Sequence, residues 1–232
     1  MPVNRLRRLR QEERGTTLAE LLVGLSMGTV VMLGLTTMVV LSMQSTTRVS
    51  TRVDATQRGR LVLTRVIDQL HSACIAPKLA PVQKESSTTS IRFVHATGSA
   101  VSPVPTLSVI SLSGENLTQS DYAWKEGNPP FWTFNTTPTS TTTLMTKVKP
   151  IPGKPVFSYY GYSLGALAET AFPVPLSETD ALHTIAVAFA FMTSPSKGTA
   201  AAETDPSRLQ DSVSFRLSSP SYNPTAPSLP CQ

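Results

Sequence analysis

From Leu21 to Met43 the chain carries no charged residue. As an α-helix these 23 residues would rise about 35 Å at ~1.5 Å per residue, against a hydrocarbon core of ~30 Å. The run is long enough for one transmembrane helix. Five arginines precede it: Arg5, Arg7, Arg8, Arg10 and Arg14. A basic flank of that kind predicts that the N-terminus stays on the cytoplasmic side. An ordinary secretory signal has a shorter apolar core and a small-residue cleavage site after it. Ser42 and Ser45 are small, but no A-x-A-like site follows. A plain signal anchor leaves Glu20 unexplained. A carboxylate at the edge of an apolar helix is disfavoured in lipid, and an ionisable residue there is a functional candidate.

The charge of the chain is unevenly placed. The net charge of +5 falls to +2 once residues 1–15, with five Arg and two Glu, are set aside. The pI of 9.4 is thus partly a property of the first residues. Nucleic-acid binding calls for a basic patch on the working domain, so DNA is a partner left open but unsupported. Few charged residues and abundant Ser, Thr and Pro lean toward an exported chain.

Beyond the apolar run, Val49, Val53, Thr56, Arg60, Leu63, Ile67, Leu70 and Cys74 recur in steps of four and three. Such a stripe predicts a helix packed along one face. Arg60 interrupts it and Gly59 weakens it. Arg48, Arg52, Arg58 and Arg65 fall largely off it, as a solvated face would. Pro77 and Pro81 are expected to stop the helix. From about residue 84 the pattern turns to short extended runs. Expected strands are Ile91–Val94, Leu107–Leu112, Phe131–Phe134, Val156–Tyr162, His183–Met192 and Ser212–Ser218. Thr136–Thr143 reads as a low-complexity loop. The expected fold class is α+β: one long N-terminal helix whose outer half packs on a C-terminal antiparallel β-sheet.

Two cysteines, Cys74 and Cys231, lie on the expected non-cytoplasmic side, where disulfides persist. A bridge between them would tie down a tail with Pro220, Pro224, Pro227 and Pro230, and in the chain-entropy model contributes about 5 kcal/mol. Two free thiols, or a bridge to another molecule, are the alternatives.

Signals for catalysis are weak. Gly161-Tyr162-Ser163-Leu164-Gly165 matches G-x-S-x-G, with Asp180 and His183 later in the order of a hydrolase triad. Asp180 and His183 are, however, too close in sequence, and the alternating β/α units of that fold are missing. His71 and His95 sit in no metal-ligand spacing, and no phosphate-binding glycine loop occurs. Neither a catalytic site nor a cofactor or metal is expected. Asn116-Leu117-Thr118 and Asn135-Thr136-Thr137 have the form of glycosylation sequons in Thr-rich surroundings.

Arg14-Gly15 followed by Thr16-Thr17-Leu18-Ala19-Glu20-Leu21-Leu22-Val23 resembles the prepilin cleavage and methylation motif. The resemblance covers about thirty residues. It implies a type IV pilin-like fold and cleavage after Gly15 by a membrane-embedded prepilin peptidase. Thr16 would become the first residue and the site of N-methylation, and Glu20 would stand at the fifth mature position. The family's first residue is usually large and apolar, so Thr16 departs from the pattern. The resemblance also implies a role for Glu20 in assembly, pairing with the new α-amine of a neighbouring subunit; otherwise it complements the helix N-terminus. The order Pro155–Tyr160, His183–Met192, Asp211–Leu217 is diffusely similar to minor pilins of the PilW and PulJ type.

The domains expected are a cleaved basic leader (1–15), a transmembrane and assembly helix (16–43), its extramembrane continuation (44–76) and an exported β-rich domain with a Pro-rich tail (77–232). The function implied is that of a minor pilin or pseudopilin, built into or priming a type IV pilus or a type II secretion-like filament. Its partners would be other pilins, the peptidase and, before assembly, membrane lipid. Its place would be the inner membrane, single-pass, then a periplasmic or extracellular filament. The competing readings are a membrane-anchored binding protein that never polymerises and an anchored esterase using Ser163.

Overall fold

The computed structural model describes residues 17–74, 79–99, 102–126, 132–163, 166–167, 170–194 and 206–215. The chain is α+β. Its described part opens with one long helix, α1 (Leu18–His71), and continues in antiparallel strands. It divides into two units, Met1–Val49 and Ser50–Gln232.

In the first unit α1 is apolar all round. Every large hydrophobic residue from Leu18 to Met43 is at least 45% exposed. Ser and Thr within this stretch return their hydroxyls to the helix: Ser26 Oγ donates to the Val23 carbonyl at 2.8 Å, Thr36 Oγ1 to Met32 at 2.7 Å and Thr46 Oγ1 to Ser42 at 3.0 Å. Back-bonding of this kind lets polar side chains sit in an apolar helix without unsatisfied donors.

In the second unit α1 runs on to His71. Its buried face is Ala55, Gly59, Leu63, Val66 and Leu70. This differs from the expected stripe. Val49 and Val53 are exposed, and Ala55 and Gly59 replace them in contact. The cause is close approach. A Cβ on Gly59 would collide with Leu209 Cδ1, so the position that lowers helix propensity is the one the packing needs. The helix ends before Pro77. Ala73 N–H donates to the Leu70 carbonyl at 3.0 Å, and Cys74 N–H then bonds the Val94 carbonyl at 3.1 Å. The chain leaves the helix to line a strand edge.

The strands are β1 (Ser90–Ser99), β2 (Ser102–Ser113), β3 (Asn116–Glu126), β4 (Thr133–Phe134), β5 (Ser140–Met145), β6 (Val148–Pro150), β7 (Phe157–Tyr160), β8 (Tyr162–Ser163), β9 (Ala166–Leu167), β10 (Ala186–Thr193) and β11 (Ser207–Ser214). A short helix, α2 (Glu178–His183), precedes β10. Among the described residues there are three sheets where one was expected. The five-stranded sheet runs β1-β2-β3-β4 with β5 also on β3; the four-stranded sheet runs β11-β10-β6 with β7 also on β10; β8 and β9 form a ribbon. Gly114, at φ +61°, opens the two-residue loop between β2 and β3, where a side chain would be strained. Leu63, Val66 and Leu70 of α1 share one core with Ile91, Phe93, Ile110 and Leu117 of the larger sheet and Val187, Phe189, Phe191 and Val213 of the smaller.

Two further expectations change. Ser140–Thr143, read as loop, is the first part of β5, because its threonines pair with Thr118–Asp121 of β3. His183 ends α2 instead of starting a strand. Ser177 caps that helix, its Oγ accepting from Asp180 N–H at 3.0 Å. The strand starts at Ala186. Phe131 and residues 216–218, the ends of two expected strands, lie outside the described residues.

Candidate functional site

Gly15 and Thr16, the expected cleavage pair, lie outside the described residues. Glu20 stands in the first turn of α1 and is exposed. Thr17 precedes that turn. Thr17 N–H and its Oγ1 hydroxyl lie 3.3 and 3.4 Å from Glu20 Oε2, and Glu20 N–H lies 3.4 Å from Thr17 Oγ1. These are long, reciprocal contacts in the form of a capping box, T-x-x-E, which satisfies orphan amide donors at a helix start. The spacing is legible in Thr17-Leu18-Ala19-Glu20. Glu20 thus has a role within its own helix start.

The apolar stretch that follows is long and apolar enough to cross a membrane. None of it is covered by the described residues. A core helix of equal composition would be covered by its own chain.

Cys74 is fully buried and disulfide-bonded, packed with Leu79, Val94 and Leu107. Cys231 lies outside the described residues.

Asp180 and His183, which follow the G-x-S-x-G match in the sequence, have local partners. Asp180 Oδ2 accepts from Ser177 Oγ at 2.7 Å, and His183 Nδ1 lies 2.8 Å from the Thr179 carbonyl. Both contacts serve α2. The backbone of Ser163 lies in β8, and its side chain falls outside the described residues. Both sequons fall in the sheet region: Asn116 begins β3, and Asn135 N–H bonds the Ala123 carbonyl at 3.0 Å. Arg58 pairs with Asp54 at 2.7 Å on the exposed helix face.

A polar array that sequence reading missed crosses the larger sheet. His95 Nε2 lies 2.9 Å from Ser108 Oγ, and that hydroxyl donates to Asp121 Oδ1 at 2.6 Å. Gln119 Nε2 donates to the same oxygen at 2.8 Å, and Ser140 Oγ to Asp121 Oδ2 at 3.2 Å. With the Ser108 proton committed to the carboxylate, His95 Nε2 is the donor to Ser108. The serine stands between histidine and carboxylate and is fully buried, so it is no nucleophile. Burial holds the His95 imidazolium below its ordinary range, partly opposed by Asp121. Alternation could have placed Gln119 and Asp121 on the inward face with Leu117, but polar residues at core positions break the apolar pattern by which strands are found. Among the described residues no three His, Cys, Asp or Glu side chains gather as a metal site.

Taken together, the chain is an α+β protein whose leading helix offers an exposed apolar segment with a single carboxylate in its first turn. No protein-family model matches it, and no curated protein does.

Proposed function

We propose that the protein is a type IV pilin-like assembly subunit, a minor pilin or pseudopilin. In this reading a prepilin peptidase cuts between Gly15 and Thr16. The exposed stretch of α1 holds the subunit in the inner membrane and then packs against the helices of other pilins. Glu20 pairs with the α-amine of a neighbour's Thr16, and the β-rich part is exported. No chemistry is assigned to the protein. The supporting observation is the uncovered apolar stretch of α1 with one carboxylate at its start. Cys74 is disulfide-bonded. Cys231 is the other cysteine of the chain, and we take it as the partner; non-reducing peptide mapping is expected to recover the linked pair.

A second reading is favoured by the Thr17–Glu20 contacts: an anchored protein that does not polymerise, with Glu20 serving its own helix. Two measurements separate them. Mass spectrometry of the membrane-extracted protein is expected to find Thr16 at the N-terminus; an intact Met1 or Pro2 terminus in cells holding the peptidase would defeat the assembly reading. Glu20→Gln keeps a capping-box side chain and removes the charge. Losing one partner of a buried ion pair costs roughly 3–5 kcal/mol, so both Glu20→Gln and Glu20→Ala should be strongly depleted from sheared filaments relative to membranes. Normal incorporation of Glu20→Gln would assign Glu20 to the cap alone.

A further inference from the structure

The edges of the two larger sheets are closed in different ways. β1 is covered: Cys74 N–H bonds the Val94 carbonyl at 3.1 Å, and Val94 N–H bonds the Pro81 carbonyl at 2.9 Å. On β7, Phe172 N–H bonds the Tyr159 carbonyl at 2.8 Å. β4 is two residues long, and β6 is three and ends in Pro150. β11 is longer but charged. It contains Arg208, and Asp211 stands opposite Phe189 in the inward series with Leu209 and Val213. Charges on an edge strand, inward-pointing ones included, and prolines are devices that keep an edge from pairing with another chain.

β5 has neither device. Its sequence, Ser140-Thr141-Thr142-Thr143-Leu144-Met145, holds no charge and no proline. Among the described residues it pairs with β3 alone, and Ser140 to Thr143 are exposed on both faces. Its threonines also end a pattern that crosses the sheet. Ser90, Ser111, Thr118 and Thr143 stand in one row across β1, β2, β3 and β5. Hydroxyls on this face bond from strand to strand. Ser111 Oγ and Thr118 Oγ1 are 3.2 Å apart, and Ser120 Oγ and Thr141 Oγ1 are 3.1 Å apart. Among the described residues no further strand continues these rows past β5.

We propose that β5 is an interface to which a second copy of this chain adds its own β5, antiparallel, so that the two five-stranded sheets become one. The composition suits self-pairing. A strand without charge meets its copy without like-charge repulsion, and Thr–Thr pairs are favourable cross-strand neighbours. A charged or apolar partner strand would find neither an opposite charge nor an apolar face on Ser140–Thr143. Side chains alternate between faces, so a two-fold axis normal to the sheet lets a residue meet only residues of its own face. Centred on Thr142, the axis sets Thr141 of one copy opposite Thr143 of the other. Both hydroxyl rows then run on across the junction. The pairing involves neither leader cleavage nor Glu20, so it holds or fails separately from the assembly reading.

The test uses the full-length protein in detergent micelles, with mass read by sedimentation. The wild type is expected to show a concentration-dependent dimer. Thr142→Lys sets two ammonium groups opposite each other at the axis and is expected to raise the dimer Kd about tenfold. Thr142 is exposed, so the thermal midpoint should not move. Thr142→Cys is expected to give a disulfide-linked dimer on mild oxidation, since paired strands hold facing Cα atoms within disulfide reach. It also keeps the proposal testable should Thr142→Lys fail to fold. Ser212→Cys, exposed on the charged edge strand β11, is expected to stay monomeric under the same oxidation. A wild type that remains monomeric, or equal linking through Ser212→Cys, would overturn the proposal. So would a dimer indifferent to Thr142→Lys, which would assign association to α1.

Discussion

Two stretches of α1 share a backbone conformation and meet opposite surroundings. From Leu18 to Met43 the large apolar side chains are exposed; from Ala55 to Leu70 the inward positions are at most 6% exposed. The first stretch has no polar face, because Leu, Val and Met occur at every angle around it. The second is striped, with arginines and threonines off the stripe. A striped helix is completed by one sheet face, while a helix apolar all round needs an apolar medium on every side. The lesson is that helix formation and helix burial are separate outcomes of the sequence. In the second stretch the partner belongs to the chain. In the first, no part of the chain among the described residues covers it.

The strongest way to break this contrast is to remove equal side chains from the two stretches. Leu70 is fully buried, whereas Leu25 is 66% exposed. Leu70→Ala is expected to destabilise the β-rich part by about 2–5 kcal/mol, the range for a buried leucine whose cavity does not collapse. Leu25→Ala should leave that transition unmoved. Urea unfolding in detergent, followed by the fluorescence of Trp124 and Trp132, checks both; an equal loss would mean that the apolar stretch also supports the domain.

Next in size is the close approach at Gly59. Gly59→Val adds a side chain where Leu209 already sits. Overpacking of this kind costs about 1–3 kcal/mol. An unchanged unfolding midpoint would show that α1 and β11 are not held by it.

How far the sequence revealed these features depended on the size of the signal. The apolar run was legible because 23 uncharged residues in a row leave few alternatives. The packing stripe was legible only in period. Its register was misplaced, because Ala55 and Gly59 carry little hydrophobicity and matter through how near they let β11 come. Strands rich in apolar residues, such as Ile91–Val94 and Leu107–Leu112, were found within β1 and β2. β3 and β5 were missed. Gln119 and Asp121 face inward in β3 as members of a polar array, and the threonines of β5 look like loop composition. Of the candidate site, Glu20 was evident by its isolation. The His95–Ser108–Asp121 array was not, since its members lie 13 residues apart and only strand register brings them together.

That array sets a smaller effect, tied to pH. His95 has a folded-state affinity for protons below its ordinary value near 6.5, chiefly through burial. Well above pH 6.5 the imidazole is neutral in both folded and unfolded chains and makes no difference. As pH falls below the unfolded value, the unfolded chain takes up the proton first, so stability declines until the folded value is reached. The slope approaches ~1.4 kcal/mol per pH unit for one proton. The thermal midpoint of the wild type should therefore fall between pH 7 and 5.5, and His95→Gln should flatten that fall. A steeper slope in His95→Gln would mean that other groups govern the response.

The smallest expected effect returns to the two stretches of α1 and compares their glycines. A Cβ on Gly28 would meet nothing within 4 Å, while one on Gly59 would strike Leu209. In an unpacked helix interior, Gly→Ala gains about 0.5–1 kcal/mol by removing backbone freedom from the unfolded chain. Gly28→Ala should thus raise helicity slightly in detergent, read by far-UV circular dichroism on heating, and leave the urea transition of the β-rich part untouched. In a filament the expectation is different. If the exposed stretch packs against other helices, a glycine gives close approach there as Gly59 does against β11, and the added methyl group would reduce incorporation while improving the isolated helix. Gain in the micelle with loss in the filament would locate a helix–helix contact at Gly28. Gain in both would leave Gly28 facing lipid or solvent, and the contact would have to be sought at Gly24 or Gly34, whose surroundings in the single chain are equally open.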